Sequence, residues 1–431
     1  MDNLLTVSDA AELVGVSTDT IRRWEKVGLL KSHRSEHNYR LFNFEEIQRV
    51  RNKINGSDQI NNYKILKSNK TTKYTTIELF TGAGGTALGL ENAGLKHLLN
   101  VEFDKDAINT IKNNKPEWNL IGNDISEVDF NSWKNKVDVV EGGFPCQSFS
   151  YAGKGKGFGD TRGTLFFEFA RCVKETMPKI AIGENVKGLL RHDNGKTLST
   201  MVKKLQDIGY KVGYKVLRSQ YHDVPQKRER LIIIGIRNDL NIPMLVPREK
   251  DYYISIKEAL KNVPLSKGQN YPEKKRKVLD LVPPGGCWRN LPLDIQREYM
   301  GASFYLGGGK TGMARRLSFD EPSLTLTCSP AQKQTERCHP VETRPFTVRE
   351  YARIQTFPDD WEFCGSLTSQ YKQIGNAVPV NLGFHIGEAI IAMLQNKYDL
   401  NDMEIIEPVI LENNENHILS NNFLYVQENI F

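Results

Sequence analysis

Short apolar segments alternate with longer amphipathic segments from residue 73 to about residue 240. The segments TTIELF, HLLNVEF, VDVVEGGF, IAIGEN and LIIIGI each have the length and composition of a buried strand. Between them lie stretches such as GTLFFEFARCVKET and GKTLSTMVKKLQDIG, whose patterns favour helices. Strands that alternate with helices are typical of a mainly parallel sheet covered by helices. The pattern therefore predicts an α/β, Rossmann-like domain.

The alternation ends near residue 241. The chain then becomes rich in Pro, Gly and basic residues, as in PEKKRKVLD and FYLGGGKTGMARR, which predicts a second, smaller domain. Helical patterning returns in FTVREYARIQTF and VPVNLGFHIGEAIIAML, and we expect the second of these segments to pack back on the sheet. The predicted division is an α/β domain formed by residues 74–245 and 344–398, a smaller domain over 246–343, and an acidic tail over 399–431.

A different pattern occupies residues 5 to 53. The segment LTVSDAAELVGVSTDTIRRWEKVGLL predicts two short helices joined by a turn. In the second helix Ile21 and Trp24 share one face, which leaves Arg22 and Arg23 free to point elsewhere. This arrangement is a helix-turn-helix pattern. A small protein-interaction module is the alternative interpretation.

The continuation KSHRSEHNYRLFNFEEIQRV resembles the wing and following helix of the MerR and excisionase DNA-binding family. The resemblance implies a winged helix-turn-helix over residues 1–55, with Arg22, Arg23 and Arg40 as DNA contacts. Residues 56–73 are polar and rich in Asn and Lys, which predicts a linker.

Composition and charge narrow the class of protein. Hydrophobic residues make up 39% and charged residues 26%, as in globular proteins, and we find neither an apolar run of membrane-spanning length nor a secretory signal. We therefore expect a cytoplasmic protein with no role in a membrane. The six cysteines form no C-x-x-C pair, which argues against a zinc site, so no metal is expected. The net charge of +6 permits nucleic-acid binding without establishing it.

A glycine motif follows the first predicted strand of the α/β domain. In FTGAGGTALGL, Gly82, Gly84 and Ala87 have the spacing G-x-G-x-x-A, and Glu102 follows Gly82 by 20 residues. Glycines allow close approach of the backbone to a nucleotide, and the acid can accept hydrogen bonds from ribose hydroxyls. NAD, FAD and S-adenosylmethionine sites all use this geometry, and a structural turn without ligand fits it as well.

A cysteine follows the third predicted strand. Cys146 lies in VEGGFPCQSFSYAGKGKGFGDTRG, at the carboxyl edge of the sheet, where ligands bind in such folds. A thiolate is well suited to attack an electron-poor ring carbon. A lone cysteine after a strand is more often an inert core residue, so the neighbouring motifs must decide between these roles.

The motifs from residue 74 to about 395 resemble, in order, those of the cytosine-5 DNA methyltransferase family. They are IELFTGAGG, NVEFD, GNDI, GGFPCQSFS, GENVKGL, PQKRERLIIIGIRND, RPFTVREYARIQTFPDDW and QIGNAVP. The resemblance implies an S-adenosylmethionine-dependent DNA (cytosine-5-)-methyltransferase of the bacterial restriction-modification type. Its partners are then double-stranded DNA and, functionally, a cognate restriction endonuclease, and its location is the nucleoid. Residues 246–343 become its target-recognition domain.

The same resemblance assigns catalytic roles. Cys146 would attack C6 of the cytosine, and Pro145 would fix the turn that presents the thiol. Glu184 would hold N3 and the exocyclic amine, while Arg230, with Arg228 nearby, would bind O2 and orient Glu184. Thiolate addition makes C5 nucleophilic toward the methyl group of the sulfonium, and no metal is required.

The remaining assignments concern the cofactor and DNA. A base must leave the duplex to reach a buried thiol, and Gln147 is expected to help fill the space it vacates. Ala152 stands where one family pattern has a small hydroxyl residue, so the side chain that enters the stack stays open. The implied cofactor residues are Phe80, Gly82, Gly84, Glu102, Phe103, Asp124, Ile125 and Asn376, and the candidates for DNA contact in the smaller domain are Arg289, Lys310, Arg315 and Arg316.

Two other functions are possible from the sequence. A transcription regulator with a ligand-sensing, methyltransferase-like domain requires a broken active site, yet Cys146, Glu184 and Arg230 are all present. A Rossmann oxidoreductase leaves the PCQ and ENV motifs unexplained. Because every catalytic motif follows residue 73, we expect the front module to be dispensable for methylation and to bind a separate operator near the enzyme's own gene.

Overall fold

The chain divides into two units in the computed structural model. The smaller unit comprises residues 1–61, 250–253 and 410–431, and the larger comprises 62–249 and 254–409. Each unit is described by itself. The structure describes residues 4–14, 16–26, 30, 32–34, 38–44, 46, 47, 50, 63–145, 165–306 and 311–411.

Within the described residues, the elements with full bounds in the smaller unit are two helices and a three-stranded antiparallel sheet. Its elements are β1 (Leu4–Thr6), α1 (Val7–Val14), α2 (Thr18–Lys26), β2 (Ser32–Arg34) and β3 (Arg40–Asn43). The sheet has the order β1-β3-β2. Ile21 and Trp24 of α2 are buried in one apolar cluster with Phe42 of β3, as the three-residue spacing predicts. The amide of Thr20 donates to Ser17 Oγ at 3.2 Å, which caps the start of α2.

The larger unit is built on a seven-stranded sheet, and two further pairs of strands lie outside that sheet. The strands of the larger unit are β4 (Thr75–Leu79), β5 (Lys96–Val101), β6 (Leu120–Ile121), β7 (Val139–Gly142), β8 (Ile180–Val186), β9 (Tyr210–Arg218), β10 (Gln226–Lys227), β11 (Glu229–Arg237), β12 (Leu245–Pro247), β13 (Ser323–Leu324) and β14 (Met403–Ile405), and the two separate pairs are β10 with β13 and β12 with β14. Its helices are α3 (Gly85–Ala93), α4 (Lys105–Asn114), α5 (Leu165–Thr176), α6 (Lys196–Ile208), α7 (Ile256–Ala259), α8 (Glu273–Asp280), α9 (Leu293–Met300), α10 (Val348–Ile354), α11 (Leu367–Asn376) and α12 (Val380–Gln395).

The large sheet has the order β6-β5-β4-β7-β8-β11-β9. The first five strands are mutually parallel, and β11 runs antiparallel to both of its neighbours. The central strands are almost wholly buried, because helices cover both faces of the sheet. The predicted Rossmann-like α/β architecture is therefore present.

Helix α12 packs closely against α3. A Cβ atom at Gly89 would lie 2.5 Å from the carbonyl oxygen of Val380, so only glycine fits there. Apolar residues of α12, among them Leu382 and Ile390, join the core with Val139 and Ile182 of the sheet. The expectation that this late segment packs back on the sheet is confirmed.

The segment before β4 is fixed to the larger unit by hydrogen bonds. The Tyr63 hydroxyl donates to the Arg353 carbonyl at 2.9 Å, and the Leu66 amide donates to Asn381 Oδ1 at 2.9 Å. Asn381 Nδ2 in turn donates to the Lys64 carbonyl at 2.9 Å. The sequence predicts a linker over residues 56–73, but Tyr63, Lys64 and Leu66 form these hydrogen bonds, so this part of the segment is packed.

The helical stretch Leu367–Gln395 is long enough and apolar enough to cross a membrane, although no stretch of this kind is expected from the sequence. It consists of α11 and α12, and 72% of its most apolar window is buried inside the protein. This degree of burial is typical of helices that lie in the core of a protein.

Residues 271–343 have a small core of their own, formed around Tyr271, Leu279, Val282 and Cys338. Arg316 runs through it with 4% of its surface exposed. Its guanidinium donates to the carbonyls of Val282, Leu279, His339 and Val341 and to Thr343 Oγ1. The candidate role of Arg316 in DNA contact is therefore wrong, because buried carbonyls use its donors.

Arg289 is exposed, whereas Lys310 lies outside the described residues. Arg315 is partly buried. These differences could not be predicted from the residue type, since all four candidates are basic.

Replacing Arg316 by Met should lower the free energy of unfolding by about 2 kcal/mol or more, since several buried carbonyls lose their donor. Arg289→Met is the matched control, because an exposed side chain should change stability by less than about 0.5 kcal/mol. Urea denaturation of both variants measures the difference. Equal stability of the two variants would contradict the structural role of Arg316.

Candidate active site

The ends of β4, β7 and β8 meet at one edge of the sheet. In the parallel register Leu79 lies beside Gly142, and Gly142 lies beside Gly183. The loop after β4, the turn after β7 and the carboxyl of Glu184 are therefore neighbours. In parallel α/β sheets this carboxyl edge is where ligands bind.

The glycine loop after β4 has a left-handed backbone at several positions. Gly82 has φ +57° and Gly84 has φ +86°, values that favour glycine. A Cβ atom at Gly84 would also lie 3.0 Å from the Trp361 ring. Phe80 adopts φ +59° although it is not glycine, and such backbone strain is concentrated at functional sites.

Glu102 joins this loop to the end of β5. Its Oε2 accepts a hydrogen bond from the Gly82 amide at 2.6 Å, and its Oε1 accepts from the amides of Phe103 and Asp104 at 2.9 and 2.8 Å. The Phe103 side chain beside it is 71% exposed. The structure thus brings together four of the predicted cofactor residues, Phe80, Gly82, Glu102 and Phe103, around one loop.

Asp104 was not singled out from the sequence. Its carboxylate caps α4 and forms an ion pair with Lys372 of α11 at 2.8 Å. Lys372 and these backbone hydrogen bonds hold the pKa of Asp104 below its usual value. The signal that could have found it is its position directly before a helix.

Asp124 and Ile125 lie in the turn after β6. Asp124 Oδ1 accepts from the Ser126 amide at 2.9 Å and from its hydroxyl at 2.7 Å. These bonds lower the pKa of Asp124. Ile125 is buried, while Asn376, at the end of α11, is exposed and accepts from Cys328 Sγ at 2.9 Å.

The largely buried pair of Glu184 and Arg230 lies at the ends of β8 and β11. Arg230 Nε is 2.6 Å from Glu184 Oε1. The separation is that of an ion pair, although Glu184 Oε1 has no aligned hydrogen-bond donor. The other oxygen, Oε2, lies 3.1 Å from where a Cβ of Gly143 would be. Gly143 therefore leaves room for the glutamate at the start of the turn after β7.

Arg228 lies in a different position from the one that the sequence suggested. It is 1% exposed, and its guanidinium donates to the carbonyls of Gly375 and Asn376 at 3.1 and 3.2 Å and to that of Leu326 at 3.4 Å. These contacts cap the carboxyl end of α11. Its donors face the protein backbone, so Arg228 fixes the end of α11.

Two buried glutamines tie the same region together. Gln226 Nε2 donates to Gln355 Oε1 at 2.8 Å, and Gln355 Nε2 donates to the carbonyls of Ile374 and Ala377. Sequence reasoning did not single out either residue, because an uncharged amide carries no obvious chemistry. Their occurrence inside the motifs PQKRER and ARIQTF is the signal that could have found them.

Pro145 ends the described part of this turn and is exposed. The amide Nδ2 of Asn185, the Asn of ENV, donates to the Phe144 carbonyl at 2.9 Å and so fixes the backbone before Pro145. Cys146 and Gln147 lie outside the described residues.

The predicted DNA contacts of the smaller unit lie on α2 and β3. Arg22 and Arg23 are exposed on α2, where Arg22 pairs with Asp19 at 2.9 Å. Arg40 Nε is 2.6 Å from Glu25 Oε2, an ion pair that holds β3 to α2. Arg40 is thus engaged within the unit.

The sequence model of C-5 cytosine-specific DNA methylases matches residues 74–392. The chain belongs to the C-5 cytosine-specific DNA methylase family. The predicted enzyme class, DNA (cytosine-5-)-methyltransferase, is thereby confirmed. A second model, of MerR family regulatory proteins, matches residues 6–42.

Characterised relatives of this DNA methylase are type II methyltransferases. M.Eco47II of Escherichia coli is 55% identical over 402 residues, which cover 90% of this chain and 95% of the relative. M.PspPI of Psychrobacter sp. (strain TA137) is 60% identical over 331 residues, covering 74% of this chain and 80% of the relative. This chain is thus a type II cytosine-5 DNA methyltransferase, the class found in restriction-modification systems.

Solved structures resemble the fold of the methylase. A putative DNA modification methyltransferase from an Escherichia coli prophage has a TM-score of 0.55 at 23% identity, covering 75% of this chain and all of that one. A DNMT2 variant of Spodoptera frugiperda has a TM-score of 0.56 at 17% identity, covering 74% of this chain and all of that one. At these identities the likeness concerns the fold.

Membership of this methyltransferase family implies S-adenosylmethionine as methyl donor and double-stranded DNA as substrate. The described residues fit such a cofactor. A left-handed glycine loop, a carboxylate at its centre and an exposed aromatic side chain beside it are suited to a nucleoside group.

Gly143→Ala should lower kcat about threefold to tenfold, because the added Cβ would lie 3.1 Å from Glu184 Oε2 and the carboxyl must shift by a few tenths of an ångström. Gly188→Ala is the matched control, since its Cβ would meet no atom closer than 4.0 Å. Steady-state methylation of unmethylated plasmid DNA measures both. The same kcat in the two variants would show that Glu184 tolerates the shift.

Proposed function

We propose that this DNA methylase flips a cytosine out of a short duplex sequence and methylates C5 through a covalent bond between Cys146 Sγ and ring C6. The observation that carries the proposal is the Glu184–Arg230 pair at the sheet edge, beside the turn that leads to Cys146. A carboxyl held by a guanidinium is suited to binding the N3 edge of a cytosine, and Arg can also donate to O2. Pro145 presents the thiol.

The bond changes balance over an addition and an elimination. The S–C6 bond forms as Glu184, in its protonated form, gives its proton to N3, and the bound cofactor would supply the methyl group that C5 gains. Loss of the C5 proton to solvent water then reforms the C5–C6 double bond and breaks the C6–S bond, which returns the thiolate, and N3 gives its proton back to Glu184. Arg230 keeps Glu184 in place. Arg228 is a positioning residue, because it holds the backbone turn at Asn376 and not the substrate.

For the cofactor, the bound S-adenosylmethionine supplies an electrophilic methyl group. Glu102 already accepts bonds from three backbone amides, two on Oε1 and one on Oε2, so Oε2 keeps a second lone pair for a ribose hydroxyl. The full set that we propose to hold the cofactor is Phe80, Gly82, Gly84, Glu102, Phe103, Asp124, Ile125 and Asn376.

For DNA, an aromatic and basic patch on residues 288–305 is our candidate for reading the target sequence. The Trp288 and Phe304 rings are 6.0 Å apart, Arg289 lies over Trp288, and Tyr305 is 78% exposed. Exposed aromatic and arginine side chains suit contact with bases and phosphates. Gln147 is proposed to fill the gap left by the flipped base.

We further propose that the MerR-like unit binds operator DNA and represses the enzyme's own gene. Arg22 and Arg23 are exposed on α2, the helix that such modules place on DNA, whereas Arg40 contributes mainly through its pair with Glu25. The biological role is protection of host DNA from a cognate endonuclease, in the cytoplasm at the nucleoid.

Cys146→Ser should abolish methyl transfer while cofactor binding persists, because a hydroxyl is a much weaker nucleophile at neutral pH. The wild-type enzyme should also form a stable covalent complex with DNA that contains 5-fluorocytosine, since fluorine cannot leave as a proton does. Denaturing gel electrophoresis detects that complex, and Cys172→Ser, which alters a buried cysteine away from the turn, should keep it. Turnover by Cys146→Ser would refute the covalent mechanism and leave room for a ligand-sensing regulator.

Deletion of residues 1–60 should leave methylation unchanged and abolish operator binding. The truncated chain keeps Tyr63 and Leu66, which anchor the segment before β4. Deletion of residues 1–68 is the control, because it removes both anchors and should lower the melting temperature. Plasmid methylation and gel-shift assays on promoter DNA measure the two activities. Loss of methylation after the shorter deletion, with the fold intact, would assign the front unit to catalysis.

A further inference from the structure

Three glutamates lie on the same face of three adjacent strands. Glu78 of β4 is in register with Glu141 of β7, and Glu141 is in register with Ile182 of β8, two residues before Glu184. Because alternate residues of a strand share a face, the three carboxyls form a row toward the active site. The mechanism above uses only Glu184.

The two inner glutamates are buried. Glu78 is 1% and Glu141 is 2% exposed. Among the described residues, neither forms an ion pair, Glu78 Oε2 and Glu141 Oε1 have no hydrogen-bond partner, and both amide atoms of the neighbouring, fully buried Asn100 also lack one. Within the part of the chain that the structure describes, ion pairing in this row is seen at Glu184 with Arg230.

Burial raises the pKa of Glu141 well above its usual value, and the charges of Glu78 and Glu184 raise it further. Burial likewise raises the pKa of Glu78, against a smaller opposite effect of the Ala87 amide on α3. Two adjacent carboxylates in a dry interior cannot both be charged at reasonable cost. The pair therefore keeps a proton to a higher pH than an exposed glutamate would.

We propose that Glu141 is a positioning residue for Glu184, which it serves by remaining an uncharged carboxylic acid at its side. This inference rests on the proposed role of Glu184 as the proton donor to N3. When the O–H bond of Glu184 breaks and the N3–H bond forms, Glu184 becomes an anion. When Glu141 is neutral, the Glu184 anion is stabilised by the positive charge of Arg230 and is not repelled. A charged Glu141 would repel the anion and oppose the proton transfer.

The sign of the pH dependence follows from the raised pKa values. The pair keeps its protons above the usual pKa of a glutamate and loses them as the pH rises through the raised values. The groups that face Glu141 are Glu78 on β4 and Glu184 on β8, and those that face Glu184 include Arg230 and the buried Arg228. We therefore expect methylation to decline on the alkaline side as Glu141 becomes charged.

The test compares Glu141→Gln with the wild-type full-length enzyme. Glutamine has nearly the same shape and cannot ionise, so kcat at neutral pH should stay within about threefold of wild type, a difference below 1 kcal/mol. The alkaline limb of kcat against pH should move up by about one unit or more, or vanish. Glu117→Gln, at an exposed surface residue, is the matched control and should keep the wild-type profile.

A second measurement does not depend on activity. Infrared difference spectra of the folded enzyme should show the C=O band of protonated carboxylic acids at neutral pH, and Glu141→Gln should weaken this band and leave the part that comes from Glu78. An unchanged alkaline limb in an active Glu141→Gln enzyme, or no such band in the wild type, would overturn the inference. Failure of the proposed function looks different, because Glu184→Gln would then methylate normally at every pH.

Discussion

The common register of β4, β7 and β8 is the constraint on which the functional part of this methylase depends. Because parallel strands end at one edge, three segments far apart in sequence deliver their side chains to one place. The first brings the glycine loop, the second brings the turn before Cys146, and the third brings Glu184. A one-residue slip of β8 would turn Glu184 to the opposite face of the sheet.

Residues from the last third of the larger unit hold the elements of the site in place. Lys372 pairs with Asp104, the Arg228 guanidinium holds the end of α11, and Gln355 connects this region to Gln226. These contacts join residues separated by more than a hundred positions in the chain, for which loop closure must be completed first. The glycine loop and the Glu184–Arg230 pair therefore reach their final geometry only when the helices that follow residue 344 have docked.

The sequence allowed the architecture and part of the site to be predicted, for different reasons. Strand and helix periodicity was enough for the α/β domain, and the spacing of Gly82 and Glu102 brought together two groups that the structure joins by a hydrogen bond. Glu184 and Arg230 could be identified only by resemblance, because either residue type is usual on a solvated surface.

Burial was the property that the sequence could not give. From the sequence alone, Arg316 and Arg228 are candidates to bind a phosphate or a base. In the structure both donate to backbone carbonyls. Glu78 and Glu141 lie within apolar strands and were not predicted to have a function, although burial raises the pKa of both carboxyls. Tertiary packing decides the state of a charged group, and residue type alone does not contain that information.

The hydrogen bonds that Asn381 makes to the segment before β4 define a junction in the chain. The larger unit begins at residue 62, just before that anchor, so a foreign domain joined there would leave these hydrogen bonds in place. A DNA reader attached there would raise the local concentration of methylase at the sites it occupies. The fold thus offers a natural graft point for directing methylation to chosen loci.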